Sequence, residues 1–534
     1  MKNNFELAVR NIVNFGDTDI FPFPYETRLF DDMTGEVVNA LIETHKNFED
    51  SLNEAPPVNV STCSTVGYTG YRWATQIDPY WNAYFLGLVL SIAEDFEKIR
   101  MGRDCVYSYR YKPDVPKASL FDKEIGWRSF QEDGLSFSKE NEEIKYIVTC
   151  DIADFYTRIY HHRLENALDR INPGKNISSK LKKLIQNFSG TNSYGLPVGG
   201  PASRILAELA LDSFDHLLRI NGIRFKRFVD DFVLFCNSKE DAHSSLTFFS
   251  RKLMENEGLT LQKNKTSIMS KEEFISLTEA RLRGVDEDDK SPMKAKFLSL
   301  PIRYDPYSAN ANEQYEEIKK SLSEFDLLGM LSSELQKSKI DQTFSKQLVR
   351  AFASADEVVL SNAFKMIFSN ISELYPIFTT ILQVSVAHWD RFDLGAKQAI
   401  RDASKKLIGE DSFILKTELN LAYLVRLLSK ENSAENQELL VGIYKNSTES
   451  VLIATLVTQA MAKWGVHYWL SSLKQSFSVM NAWQRRIFII CSYLLGDEGA
   501  HWREHNKAKF NFIEIVYRDW AAKRKGLNTL SEAL

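Results

Sequence analysis

The run Arg224-Phe-Lys-Arg-Phe-Val-Asp-Asp-Phe-Val-Leu-Phe-Cys236 constrains this chain more than any other stretch. Two adjacent carboxylates, Asp230 and Asp231, are pinched between segments of aromatic and β-branched residues, the pattern of two strands joined by a tight turn. Acidic side chains are poor strand formers, so a pair of them at the tip of an apolar hairpin needs a reason. Holding a divalent metal is the most direct one. Upstream, Tyr146-Ile-Val-Thr-Cys-Asp-Ile-Ala-Asp-Phe-Tyr156 reads as a buried strand ending at Asp151. A helix then starts near Asp154 and runs through Ile159 and Leu164. A carboxylate at that strand end, beside the hairpin, puts three hard oxygen ligands in one place. Two-metal phosphoryl transfer needs that arrangement: the ions stand about 3.5–4 Å apart, one lowering the pKa of the attacking hydroxyl, the other stabilising the leaving pyrophosphate. Taken singly, each piece has an ordinary reading, as a solvated turn, a strand end or a helix cap.

Between these segments lies Gly195-Leu-Pro-Val-Gly-Gly-Pro-Ala-Ser203, whose glycines and prolines make a rigid loop that lets backbone approach a ligand closely. The apolar-faced helix Arg204-Ile-Leu-Ala-Glu-Leu-Ala-Leu211 follows. Around residue 305 the chain changes character. Before it, helical patterns alternate with short strands and turn clusters such as Asn172-Pro-Gly-Lys175 and Ser189-Gly-Thr-Asn-Ser193. After it, apolar residues recur at three- and four-residue spacing, as in Phe364, Ile367, Phe368; Leu421, Leu424, Leu427, Leu428; and Trp483, Ile487, Ile490, Leu494. That pattern predicts roughly nine to eleven short helices, packed as antiparallel pairs in a helical-repeat, HEAT-like array. The stretch Asp286–Met293 reads as a solvent loop ahead of the junction. The expected fold is therefore α+β, with one domain over 1–304 and an all-α domain over 305–534.

The chain has 534 residues and a net charge of −5, which argues against gripping many phosphates of a long duplex, because such surfaces carry a basic excess. No apolar run reaches the eighteen or so residues of a membrane span, so no membrane partner is expected. The first residues lack the zones of a signal peptide. Five cysteines stand without CxxC or CxxH spacing, which indicates neither zinc nor a disulfide framework. A cytoplasmic protein is the expectation.

In order and spacing, the three acidic and Gly-Pro segments resemble motifs A, B and C of a reverse-transcriptase fingers and palm domain. Gly258-Leu-Thr-Leu-Gln-Lys-Asn-Lys-Thr266 resembles motif D, and Val106-Tyr-Ser-Tyr-Arg110 resembles the fingers segment. The resemblance covers roughly residues 100–280. It implies that Asp151, Asp230, Asp231 and the Ile152 carbonyl bind two Mg²⁺ ions, with Mn²⁺ able to stand in. It implies that Lys265 is a general acid for pyrophosphate, and that Arg110 meets the incoming triphosphate. Pro197, Gly199 and Ser203 of the motif B segment join the substrate-binding set. Tyr156, five residues after Asp151, occupies the place of the steric gate, where a large ring clashes with a ribose 2′-OH and favours dNTPs.

Departures from the common pattern narrow the resemblance. Val198 stands where mobile-element enzymes carry Gln, near the nucleotide sugar, and the hairpin reads Phe-Val-Asp-Asp rather than Tyr-Ala-Asp-Asp or Tyr-Val-Asp-Asp. The segment Leu-Pro-Val-Gly…Ser-Arg-Ile-Leu-Ala-Glu resembles the prokaryotic, prophage-encoded reverse transcriptases of the abortive-infection (Abi) antiphage group. The absence of any strand-rich acidic segment suited to a ribonuclease H, or of a metal-finger endonuclease spacing, agrees with it, as does the helical C-terminal region. This resemblance implies a nucleotidyltransferase that makes DNA without a template. The DNA is primed from a protein hydroxyl, the single-stranded product stays covalently attached, and the protein forms a homo-oligomer. Tyr25, Tyr68, Tyr71 and Tyr80 precede the palm in an aromatic-rich stretch, where a priming hydroxyl competes with ordinary core packing. His161-His162 lacks metal spacing and reads as ordinary surface or core histidine. The alternatives are a conventional RNA-templated reverse transcriptase, a binding scaffold with a vestigial palm, and an RNA-dependent RNA polymerase, which the Tyr156 ring disfavours.

Overall fold

The acidic run forms the hairpin its pattern predicts: strands Arg224–Phe228 and Asp231–Cys236 pair antiparallel, with Phe228 opposite Asp231. The computed structural model describes residues 1–18, 20–22, 24–171, 176–283, 294, 297–298, 300, 321–322 and 324–534. The expected turn at 172–175, the loop at 286–293 and the junction at 304–305 lie outside them. The second hairpin strand pairs with Tyr146–Asp151, which pairs in turn with Ser267–Ser270, giving an antiparallel sheet of four strands. Alternate residues of Asp231–Cys236 serve two cores. Phe232 packs against Phe214 and Phe249, with ring centroids 6.2 and 4.8 Å away. Val233 and Phe235 join Tyr107, Phe130, Ile144, Ile147 and Phe274 on the other face. Both faces are covered, and this is why the strand is apolar throughout rather than alternating with polar residues.

Two helices frame this sheet's unit. Pro79–Ile99 starts on Asp78, whose side chain accepts from the Tyr80 N–H, with proline at its first turn. It is apolar nearly all round and accordingly buried, with Tyr80, Trp81, Tyr84 and Phe85 at 0% exposure. Pro201–Ile220 follows the Gly-Pro loop and also begins with proline.

The helix expected through Ile159 and Leu164 is instead two helices, Phe155–Arg158 and His161–Ile171. The break has a partner. The Gly195 N–H donates to the Ile159 carbonyl (2.8 Å) and Tyr160 bridges Tyr194, so the loop's backbone claims groups that a continuous helix would use. His161 is buried, with Nε2 2.9 Å from the Gly195 carbonyl, while His162 is exposed.

The chain divides into two compact units, residues 1–19, 26–59 and 75–295, and residues 20–25, 60–74 and 296–534. A single cut near 304 therefore misses two short N-terminal pieces that join the helical unit. Strand Val60–Val66 packs on helix Glu418–Leu428. The Tyr25 ring lies 6.1 Å from that of Tyr517 and 6.4 Å from that of Trp520. Thirteen α-helices run from Leu327 onward among the described residues, two of them under two turns, His467–Ser472 and Leu530–Ala533. Side-chain caps start many of them: Asp356 accepts from Val358 and Val359, Asp393 from Ala396, and Asn481 and Asn511 form capping boxes with Gln484 and Glu514. Gln342–Ala351, Phe378–Ala387, Glu418–Leu428, Val451–Lys463, Ala482–Cys491 and Phe512–Gly526 pack consecutively, each burying the apolar stripe of the next.

Candidate active site

Strand pairing assembles the acidic site. Asp151 ends its strand directly opposite Asp231, and the Ile152 N–H donates to the Asp230 carbonyl at 3.1 Å. The backbone of 260–262 runs alongside, with Gln262 N–H donating to Asp151 O (2.7 Å) and Ala153 N–H to Thr260 O (2.9 Å). That contact delivers Lys265, whose Nζ donates to Asp151 Oδ2 at 2.7 Å. Asp151, Ile152, Asp230, Asp231 and Lys265 thus come together from three separate stretches of sequence.

Burial, then the negative charges of Asp230 and Asp151, push the Asp231 carboxyl up to about 7, with Lys265 opposing. Such crowding of hard oxygen donors suits a divalent cation of the Mg²⁺ type. Among the described residues, no group of three or more His, Cys, Asp or Glu side chains stands in metal-holding geometry. In this arrangement the Lys265 ammonium supplies the countercharge on Asp151.

The turn that carries Asp230 is strained. Val229 has φ of 58°, in the left-handed region where a β-branched residue is an outlier that costs about 1–3 kcal/mol. Asp154 (φ 52°) and Tyr109 (φ 47°) share that region, and such outliers persist only where surrounding structure holds them.

Leu196 N–H donates to the Tyr156 carbonyl at 2.8 Å, which sets the motif B loop beside the residue expected to act as gate. The Tyr156 hydroxyl is shifted well above the ordinary tyrosine range, first by desolvation, then by neighbouring Tyr109, Glu208 and Asp230, with Arg204 opposing. Arg204 lies 5.1 Å over the Tyr109 ring. Gly195 and Gly199 take φ of 100° and 126°, which a side chain would strain. A Cβ on Gly195 would also meet the Thr157 carbonyl at 3.3 Å. Pro197 is buried and Gly199 half-buried in this loop.

Two expected substrate contacts are placed otherwise. Arg110 is 1% exposed and spends its guanidinium on the protein, donating to Val106 O (2.8 Å), Met101 O (2.5 Å) and Glu97 Oε1 (3.1 Å). Its part here is structural rather than a triphosphate contact. Ser203 is also 1% exposed, inside the first turn of its helix, and its hydroxyl has no hydrogen-bond partner among the described residues.

Sequence reasoning passed over a buried ionic network behind the site. Glu208 accepts from Arg100 and from Ser108 Oγ (2.5 Å) and forms an ion pair with Arg227 (3.0 Å), while Asp215 takes the Arg227 fork at 2.9 and 2.5 Å. The signal was present: Glu208, Asp212 and Asp215, at i, i+4 and i+7, put three acids on one face of an otherwise apolar helix.

Residues 110–303 match the protein family described as reverse transcriptase (RNA-dependent DNA polymerase). The chain carries a reverse-transcriptase domain. Its strand-end aspartate and acidic hairpin lie within the matched residues, in a chain whose C-terminal region is helical. None of the curated proteins is similar enough in sequence to count as a match. Solved structures similar to the chain include telomerase from Candida albicans in complex with a TWJ fragment of telomeric RNA, at 12% identity, 71% of this chain, 70% of that chain and a TM-score of 0.29. Apo telomerase from Candida tropicalis is similar at 12% identity, 73% and 74% coverage and a TM-score of 0.31. Likeness at this level carries no argument about function.

Proposed function

We propose that this chain is a DNA polymerase of the abortive-infection antiphage kind, which extends dNTPs without a template from a hydroxyl of the protein itself. The observation that carries the polymerase part is the register of the palm: Asp151 opposite Asp231, Asp230 at the turn, within a reverse-transcriptase family match. Val198 in place of glutamine, the helical C-terminal region and the net charge of −5 support synthesis without a long template–primer duplex.

In this reading Asp151, Asp230, Asp231 and the Ile152 carbonyl hold two Mg²⁺ ions, which, when bound, supply Lewis acidity toward the attacking hydroxyl and the pyrophosphate. Lys265, whose Nζ donates to Asp151 Oδ2, would hold a proton for the departing pyrophosphate. Tyr156 excludes the ribose 2′-OH, and the backbone of Pro197 and Gly199 flanks the nucleotide. Of the four tyrosines ahead of the palm, Tyr25 and Tyr80 are 4% and 0% exposed, and Tyr80 Oη lies 2.8 Å from Thr44 Oγ1. The Tyr68 hydroxyl accepts from Ile340 N–H at 2.8 Å, whereas the Tyr71 ring is 69% exposed. Tyr71→Phe is therefore the first replacement with which to seek loss of priming. Five free cysteines suit a reducing compartment, so the reading places the protein in the cytoplasm. It also takes the working form to be a homo-oligomer, which sedimentation checks.

The test is to incubate purified protein with Mg²⁺ and labelled dNTPs, with no nucleic acid present. Label that stays with the protein through denaturing electrophoresis and is released by nuclease supports the proposal. A second reading, templated synthesis, rests on the matched family's own description as an RNA-dependent polymerase. Product formed only when an RNA is supplied would favour it.

A further inference from the structure

Arg227 lies in the middle of the buried network and also touches the catalytic turn. It is 0% exposed. Its Nε and Nη2 donate to the two oxygens of Asp215 at 2.9 and 2.5 Å, a bidentate pairing that fixes the plane of the guanidinium. Nη1, so aimed, lies 3.0 Å from Glu208 Oε2 and donates to the Val229 carbonyl at 2.8 Å. Glu208 and Asp215 are both on helix Pro201–Ile220, a rigid element. The Arg227 backbone is held too, its N–H donating to Cys105 O (2.7 Å) and its carbonyl accepting from Tyr107 N–H (2.9 Å).

Val229 is the residue with φ of 58°, immediately before Asp230. Left to itself, a valine there would relax toward negative φ and rotate the peptide that carries Asp230. Among the described residues, the side-chain donor on its carbonyl is the guanidinium that the motif B helix holds from the far side. Glu208 extends the same network to Arg100 and Ser108, in the segment leading to Tyr109.

We infer that Arg227 is a positioning residue: it clamps the Val229 carbonyl to the motif B helix and so holds Asp230 and Asp231 in the orientation in which they take metal. The inference rests on the polymerase reading of those carboxylates. Arg227→Lys keeps a cation but cannot fork between Asp215 and the turn. Two measurements separate positioning from bulk stability. One is Mn²⁺ binding, followed by loss of the free-ion electron paramagnetic resonance signal; the other is kcat against KM for dNTP, per folded molecule.

The expected result is Mn²⁺ affinity lowered at least about tenfold, kcat lowered by a similar factor, and KM for dNTP changed by less than about threefold. Adding Val229→Gly, which takes positive φ without strain, restores Mn²⁺ affinity at least halfway on a logarithmic scale, a coupling that a double-mutant cycle reads directly. Wild-type Mn²⁺ affinity and kcat in folded Arg227→Lys protein overturn the inference, as does an impairment that Val229→Gly leaves untouched. If Arg227→Lys does not fold, Asp215→Asn carries the same test, because it retains the arginine but weakens its fork; folded Asp215→Asn protein with wild-type Mn²⁺ affinity overturns it equally. A wild-type protein that binds no Mn²⁺ and incorporates no dNTP instead overturns the functional reading, and the clamp with it.

Discussion

Asp151 and Asp231 face each other across two strands with Asp230 one residue away, and the Asp231 carboxyl is pushed up to about 7 by burial and by that company. On the proposed reading, replacing one of the three removes a metal donor while relieving repulsion. Asp230→Ala should therefore lower dNTP incorporation by at least about 10²-fold while leaving the melting temperature unchanged or raised. Activity and thermal unfolding on the same preparation check both halves. Tyr156→Val should raise incorporation of rNTPs relative to dNTPs, measured as a ratio of kcat/KM values; an unchanged ratio would remove the ring from the gate role. These residues were legible in the sequence because type and short-range order suffice: acids in apolar strands, a ring five positions on. Arg110 and Ser203 were misread because a sequence shows what a side chain is but not where it points, and both point into the protein. Arg227 was overlooked because it sits in the same run as the acids and is overshadowed by them.

Among the elements, helix Pro201–Ile220 does the most to organise the palm, through acids inside an apolar stripe. Glu208→Ala would leave Arg227 with Asp215 as its carboxylate partner and strip the buried Arg100 of its fully buried one, leaving it only the looser Glu97 contact at 3.5 Å, a loss of up to about 3–5 kcal/mol. Glu208→Gln, which keeps the acceptor oxygen, should cost clearly less. Chemical denaturation followed by tryptophan fluorescence measures both, and equal losses would show that the network contributes by packing alone. In the helical region, Asp356→Ala should cost about 1 kcal/mol, since it leaves the Val358 and Val359 amides without their cap. The spacing of apolar residues revealed these helices because amphipathic helices must bury one stripe. It did not reveal the break at Ile159, because the cause is a bond from Gly195, thirty-six residues away.

In the molecule as a whole, the sequence carries a change of periodicity near residue 305, but nothing in it signals the membership of 20–25 and 60–74 in the helical unit. Such long-range pairings leave no local pattern to read. Charge does act at this scale. A protein gripping six to ten duplex phosphates loses about 10³–10⁵ in affinity between 50 and 200 mM salt. With a net charge of −5, and on the proposed reading no duplex to hold, this chain should lose less than about threefold in template-free synthesis over that range. A steep salt dependence would argue for templated synthesis. Whether the palm extends DNA from the protein itself is read from the mass of the intact protein. After incubation with Mg²⁺ and dNTPs alone, wild-type protein should gain a ladder of deoxynucleotide increments that Asp230→Ala protein lacks. An unmodified wild-type mass, together with free product made only when RNA is added, would contradict it.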